Sequence, residues 1–84
     1  MLTKNKIHLV FFAVLKDILT ENLTLEISEN VTIQELKELL IAQYPQAKEI
    51  LKFSRFANES QILAAKDTVK GFETLYVLPP SSGG

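Results

Sequence analysis

The residues best placed to do chemistry stand at the end of the chain, where Pro79-Pro80-Ser81-Ser82 leads to Gly83-Gly84. Six extended residues reach at most ~20 Å, and two adjacent prolines stiffen the root of such a projection. Two glycines without Cβ atoms can thread a passage closed to any other residue and adopt backbone angles that side chains forbid. Nothing in residues 79–84 can build a core, so they are expected to project as an arm that presents Gly84. A Gly-Gly pair alone is a weak signal, in an arbitrary protein more often a frayed terminus or a cloning scar. It gains weight because the remaining residues offer so little else. The chain has no cysteine, hence no disulfide, thiolate nucleophile or Cys-based metal site. Its one histidine, His8, cannot form a zinc cluster and is expected to be an ordinary, partly exposed sheet residue.

Composition narrows the class further. With 84 residues, 46% of them hydrophobic and 23% charged, the chain reads as one folded domain of ordinary globular usage. The net charge of -1 provides no basic face, so neither nucleic acid nor a membrane is an expected partner. The apolar stretch Leu9–Leu15 is far shorter than the roughly 18 residues of a membrane helix, and no targeting segment is expected. The absence of cysteine fits a reducing cytoplasm.

The arm needs elements to position it. Lys6–Leu15 is rich in β-branched and aromatic residues and reads as a strand, with Ile7, Leu9, Phe11 and Ala13 on one face and His8, Val10, Phe12 and Val14 on the other. Because both faces are largely apolar, this strand is expected at the centre of its sheet. Leu15–Thr20 has room for one helical turn. Asn22–Ser28 then alternates, Leu23, Leu25 and Ile27 inward against Thr24 and Glu26 outward, as a half-buried strand pairing back on the first.

A helix start follows. Thr32 as N-cap, Glu35 three residues on, and Val31 facing Leu36 form a capping box with a hydrophobic staple. Ile33, Leu36, Leu39 and Leu40 carry the apolar stripe, and Pro45 ends the helix near Tyr44, giving about residues 33 to 44. Gln46–Lys52 suits another short turn, and Phe53–Asn58 with Gln61–Leu63 reads as two short strands around Asn58-Glu59-Ser60. The last strand, Thr74–Leu78, is entered through Gly71 and stopped by Pro79-Pro80, which cannot donate to a ladder. Leu75 and Val77 face one side, and Tyr76 and Leu78 the other. The expectation is an α+β fold of the β-grasp kind: a mixed sheet of about five strands over residues 1–78, first and last strands parallel at its centre, and one main helix crossing one face. Val10, Phe12, Tyr76 and Leu78 then fall on the uncovered face. A chain this short has no segment left to cover them, so a partner interface is expected there.

Taken together, Val10-Phe-Phe-Ala with Lys16-Asp17, the helix capped at Thr32, Phe56-Ala-Asn58 and the ending Gly71-Phe-Glu-Thr-Leu-Tyr-Val-Leu-Pro-Pro-Ser-Ser-Gly-Gly resemble the small subunit of molybdopterin synthase, the MoaD type of ubiquitin-like sulfur carrier. Two details depart from it: no glycine between Leu15 and Thr20, and Val69-Lys-Gly-Phe-Glu in place of a more acidic loop. The resemblance implies that an E1-like adenylating enzyme uses ATP to convert the Gly84 carboxylate to an acyl adenylate. A sulfur donor then displaces AMP and leaves a thiocarboxylate. It further implies insertion of the arm into the large synthase subunit, sulfur transfer to cyclic pyranopterin monophosphate, and a heterotetramer of two small and two large subunits. No permanently bound cofactor is implied, and the chain alone would not be an enzyme. Three other readings stay open: a sulfur carrier for thiamine synthesis or tRNA thiolation, a ubiquitin-like modifier joined through Gly84 to lysines, and a structural domain whose tail has no role.

Overall fold

In a computed structural model, which describes residues 4–80, the first strand, β1, runs Lys4–Phe11, and a five-residue helix, α1, runs Val14–Ile18. Between them the backbone turns sharply at Ala13, whose φ of 53° and ψ of -131° lie where glycine is favoured. The Leu15 N–H donates to the Phe12 carbonyl at 3.1 Å, closing a turn of the type II′ kind with Ala13 at its first central position. The strand therefore ends four residues before the alternation suggests. Phe12, Ala13 and Val14 are exposed instead of sheet-borne, while Phe11 and Leu15 stay buried. Replacing Ala13 with glycine removes a Cβ from a left-handed position at the cost of a looser unfolded chain. The net expected gain is about 1 kcal/mol, a rise in melting temperature of roughly 4–8 °C by calorimetry.

Strand β2, Asn22–Ser28, pairs antiparallel with β1 from Lys4–Ser28 to Val10–Asn22, with Ile27 buried, Leu23 and Leu25 half-buried, and Thr24 and Glu26 exposed as the alternation requires. Helix α2, Ile33–Gln43, carries the complete capping box. Thr32 Oγ1 accepts from the Glu35 N–H at 3.1 Å, and Glu35 Oε1 accepts from the Thr32 N–H at 2.9 Å. Two further donors of the helix start are satisfied from far away in sequence: Ile33 N–H by the Asp67 carbonyl at 2.8 Å and Gln34 N–H by that of Ala65 at 3.0 Å. Thr32→Ala removes one of these bonds and is expected to cost about 1 kcal/mol, read as a lower urea midpoint with an unchanged slope. Ile33, Leu36 and Leu40 are buried, whereas Leu39, counted in the apolar stripe, is exposed at 38%.

A 3-10 turn at Pro45–Ala47 and a short helix α3, Lys48–Lys52, return the chain to strand β3, Arg55–Ala57. Gln61–Leu63 is not a strand, and the sheet has four strands where about five were expected. Of the expected pairing, the isolated bridge of Ala57 with Ile62 is what forms. Asn58 Oδ1 accepts from the Ser60 and Gln61 N–H groups, both at 2.8 Å, and Asp67 Oδ2 from Ala64 N–H at 2.8 Å. These two side-chain turns satisfy the local backbone and bend the segment off the sheet edge before a ladder can extend. Gly71, at φ 83°, makes the last turn into strand β4, Thr74–Leu78.

The sheet order is β2-β1-β4-β3, with β1 and β4 parallel at the centre and β3 antiparallel to β4. Ile7, Leu9 and Phe11 of β1, Leu75 and Val77 of β4, and Phe56 of β3 form a buried core with Ile33, Leu36 and Leu40 of α2. The architecture is thus the expected α+β one.

Candidate functional site

Cross-strand partners point the same way from a sheet, so the register assigns the opposite face residue by residue. Toward the start of β1 this face is polar, with Lys6 across from Glu26 and His8 across from Thr24. His8 Nδ1 lies 3.2 Å from Thr24 Oγ1, and the side chain is half-buried, the partly exposed sheet position expected for it. Toward the end of β1 the face turns apolar. Val10 is paired with Tyr76, and Tyr76 with Ala57 on its other side, while Leu78 is paired with Arg55. Phe12 lies past the end of β1, but its ring centroid is 6.0 Å from that of Tyr76 with the planes at 45°, a tilted aromatic pair.

All four residues expected to share a face, Val10, Phe12, Tyr76 and Leu78, therefore come together. Three are half-buried and Phe12 is exposed at 42%. Covering the remainder of a phenylalanine removes on the order of 60–100 Å² from water, about 2 kcal/mol of unspent hydrophobic free energy at this one position. Arg55 and Ala57 belong to the same face and were not among the expected residues. Their signal was present in the alternation Arg55-Phe56-Ala57, with Phe56 inward, but a three-residue strand is too short to fix its facing without a paired neighbour.

The apolar end of the face is also the end at which the arm departs. Pairing between β3 and β4 stops at Arg55–Leu78, and Pro79, half-buried, and Pro80, exposed, follow directly. Ser81, Ser82, Gly83 and Gly84 lie outside the described residues. A polar recess of about 400 Å³ lined by Asn58, Glu59, Ser60, Gly71, Phe72, Glu73 and Thr74 sits at the opposite end of β4, away from the arm. Among the described residues no group of three or more His, Asp or Glu side chains is arranged to hold a metal, and no helix is long and apolar enough to cross a membrane.

A mixed sheet with parallel central strands, one capped helix across it and a chain end leaving the central strand define a ubiquitin-like β-grasp protein. The chain belongs to the ThiS family, whose profile matches residues 9–84, and has the ubiquitin-like sulfur-carrier fold. No curated protein sequence matches it. Among solved structures it is similar to a putative molybdopterin converting factor, subunit 1, from Pyrococcus furiosus, at a TM-score of 0.76 and 16% identity, with 92% of this chain and 99% of that one covered. It is likewise similar to small archaeal modifier protein 1 of H. volcanii, at a TM-score of 0.74 and 12% identity over 92% and 99% of the two chains. A ubiquitin of Caldiarchaeum subterraneum gives 0.68 and 17% over 98% and 100%.

Proposed function

We propose that this chain is the sulfur-carrying small subunit of a molybdopterin synthase. The observation that carries the reading is the coincidence, in a ThiS-family chain, of an uncovered apolar face with the root of a Pro-Pro-Ser-Ser-Gly-Gly arm at one end of β4. The carboxylate at Gly84 is a poor electrophile at neutral pH and must first gain a leaving group. It attacks the α-phosphorus of ATP bound to an E1-like adenylating enzyme, pyrophosphate departs, and an acyl adenylate forms. Sulfur at the oxidation level of hydrosulfide then bonds to the carbonyl carbon as the bond to AMP breaks, leaving a thiocarboxylate. In the large synthase subunit the arm, Pro79 through Gly84, delivers this sulfur to cyclic pyranopterin monophosphate. Val10, Phe12, Tyr76 and Leu78 dock on each partner in turn, and two small subunits serve two large ones. Sulfur is carried covalently, no resident cofactor is needed, and the chemistry is assigned to the cytoplasm. The small subunit alone is not an enzyme.

The test is the intact mass of the chain after incubation with ATP, the E1-like enzyme of the same organism and a sulfur donor. Replacement of one oxygen by one sulfur is expected, and an unchanged mass with an enzyme shown to be active sinks the reading. Co-purification with a thiazole synthase instead of the large synthase subunit would reassign the acceptor to thiamine synthesis.

A second reading is favoured by the likeness to small archaeal modifier protein 1, which is about as close in fold as the molybdopterin-related structure. It is a modifier conjugated through Gly84 to lysines. Adducts of higher mass that depend on Gly84 and resist thiol reductants would support it.

A further inference from the structure

The two edges of the sheet are finished differently. The β3 edge is three residues long, carries Arg55, and is covered by the segment that follows it, whose Leu63 N–H donates to the Phe56 carbonyl at 2.8 Å. The β2 edge is seven residues long and holds neither proline nor lysine, the residues that commonly blunt an open edge. We propose that the β2 edge joins that of a second copy of the chain, antiparallel about a two-fold axis at Leu25, to make one continuous sheet. The surface is one that the sulfur-carrier reading does not use, and the proposal stands independently of that reading.

The ladder assigns the backbone groups of β2 to its two sides. Phe11 N–H donates to the Glu21 carbonyl at 2.9 Å, while His8 N–H points the other way, to the Glu73 carbonyl at 2.8 Å. In the observed register the odd-numbered residues of β2 therefore bond to β1, and Asn22, Thr24, Glu26 and Ser28 turn their N–H and C=O groups outward. The Asn22 and Ser28 carbonyls are taken up locally, by Thr20 Oγ1 at 3.3 Å and by the Val31 N–H at 3.1 Å. Among the described residues the N–H and C=O groups of Thr24 and Glu26 have no hydrogen-bond partner, which leaves a template for a further strand at the middle of the edge. Leu23 and Leu25, on the core side of the same strand, remain half-buried.

What singles out a second copy is that β2 is complementary to itself. Only outward-facing residues can exchange ladder bonds, so two such edges must set even-numbered residues opposite even-numbered ones. Centring the pair on Leu25 matches the whole strand: Asn22 with Ser28 of the second copy, Leu23 with its Ile27, Thr24 with its Glu26, and Leu25 with its equivalent. On the core side every apolar side chain then meets an apolar one, and on the open side each Glu26 lies across from a threonine. A centre at Glu26 sets two carboxylates directly opposite each other, and a centre at Thr24 carries Ile27 and Ser28 past the end of the facing strand. An isologous contact asks one surface to fit itself, and β2 does so in one register. Two four-stranded sheets then merge, with both open faces on one side and the two arms leaving at opposite ends. Because β1 separates β2 from β4, the root of the arm stays clear of the join.

The experiment is sedimentation velocity of the full chain from micromolar to millimolar concentration, with wild type, Thr24→Pro, Thr24→Glu, Thr24→Lys and a control, Phe12→Lys. One strand pair is a small interface, under the roughly 1,200 Å² of standard complexes, so the dimer is expected toward the upper end of that range. Thr24→Pro removes an outward N–H and leaves the bonds to β1 in place. It is expected to abolish the dimer while the protein melts within about 5 °C of wild type. Thr24→Glu sets a carboxylate across from Glu26 of the second copy at two symmetric places, and is expected to raise the dissociation constant by about fivefold or more. Thr24→Lys is expected to lower it by a similar factor, and Phe12→Lys to dimerise like wild type. A wild type that stays monomeric up to about 1 mM overturns the proposal. So does a dimer that survives Thr24→Pro, or one that Phe12→Lys dissociates, which assigns self-association to the open face. A dimer that Thr24→Lys weakens is paired in another register and overturns the pairing about Leu25. Should Thr24→Pro fail to fold, the opposite shifts of the two charged variants decide.

Discussion

Deleting Gly84 is expected to abolish the oxygen-to-sulfur mass shift while leaving the melting temperature of the domain unchanged. In the proposed reaction the reacting carboxyl is that of Gly84, and the chemistry calls on no side chain of the fold. Removing that residue moves the carboxyl back by one residue, about 3.5 Å along an extended chain. A misplacement of even 1 Å at a reacting centre can cost about a hundredfold in rate, so activation should fall below detection. Stability has a separate source. Among the described residues the buried cluster runs from Ile7 to Val77, and neither Pro79 nor Pro80 belongs to it. A thermal melt of the deletion variant is the control. If it unfolds well below wild type, the last residue contributes to packing and the loss of sulfur loading cannot be assigned to chemistry.

The neighbouring phenylalanines supply the second large contrast. Phe11 is 1% exposed in the core, paired in register with Val77, while Phe12 stands 42% exposed against Tyr76. Phe11→Ala is expected to cost about 3–5 kcal/mol through lost transfer energy and the cavity left behind. For a domain whose total stability is on the order of 4–13 kcal/mol, that removes between about a quarter of the stability and all of it, read as a much lower urea midpoint. Phe12→Ala loses only its tilted pairing with Tyr76, about 1 kcal/mol, and should shift the urea midpoint little. Its large effect is expected in association. A central aromatic of an interface is worth about 2 kcal/mol or more, so its loss is expected to raise the dissociation constant for the proposed partner, the large synthase subunit, by roughly thirtyfold, measured by calorimetry. Equal destabilisation by the two substitutions would mean that Phe12 belongs to the core and the open face is no interface.

These expectations differ in how much sequence alone supports them. The capping box is written within four residues, Thr32 to Glu35, and local geometry suffices to read it. The alternation of Asn22–Ser28 and of Thr74–Leu78 is equally local, as is the stop at Pro79-Pro80, because a residue without an N–H cannot extend a ladder whatever surrounds it. The short strand at Arg55–Ala57 was visible, but its facing was not. The supposed strand at Gln61–Leu63 is reduced to a single bridge because Asn58 Oδ1 takes the Gln61 N–H that would otherwise close a hairpin onto the Asn58 carbonyl, and Asp67 Oδ2 turns the chain at Ala64.

The uncovered apolar side of the first and last strands and the stop of the last strand at Pro79-Pro80 were legible from residue type and order alone. Tertiary structure decided where the first strand stops, since the Ala13 turn is imposed by burying both Phe11 and Leu15 and has no glycine to announce it. It also decided that Arg55 and Ala57 join the open face and that Val14 and Ile50 meet the prolines in a notch. Each of these depends on residues far apart in the chain becoming neighbours. Local propensity acts over a few residues, whereas register and packing are settled only when the whole sheet closes over its core.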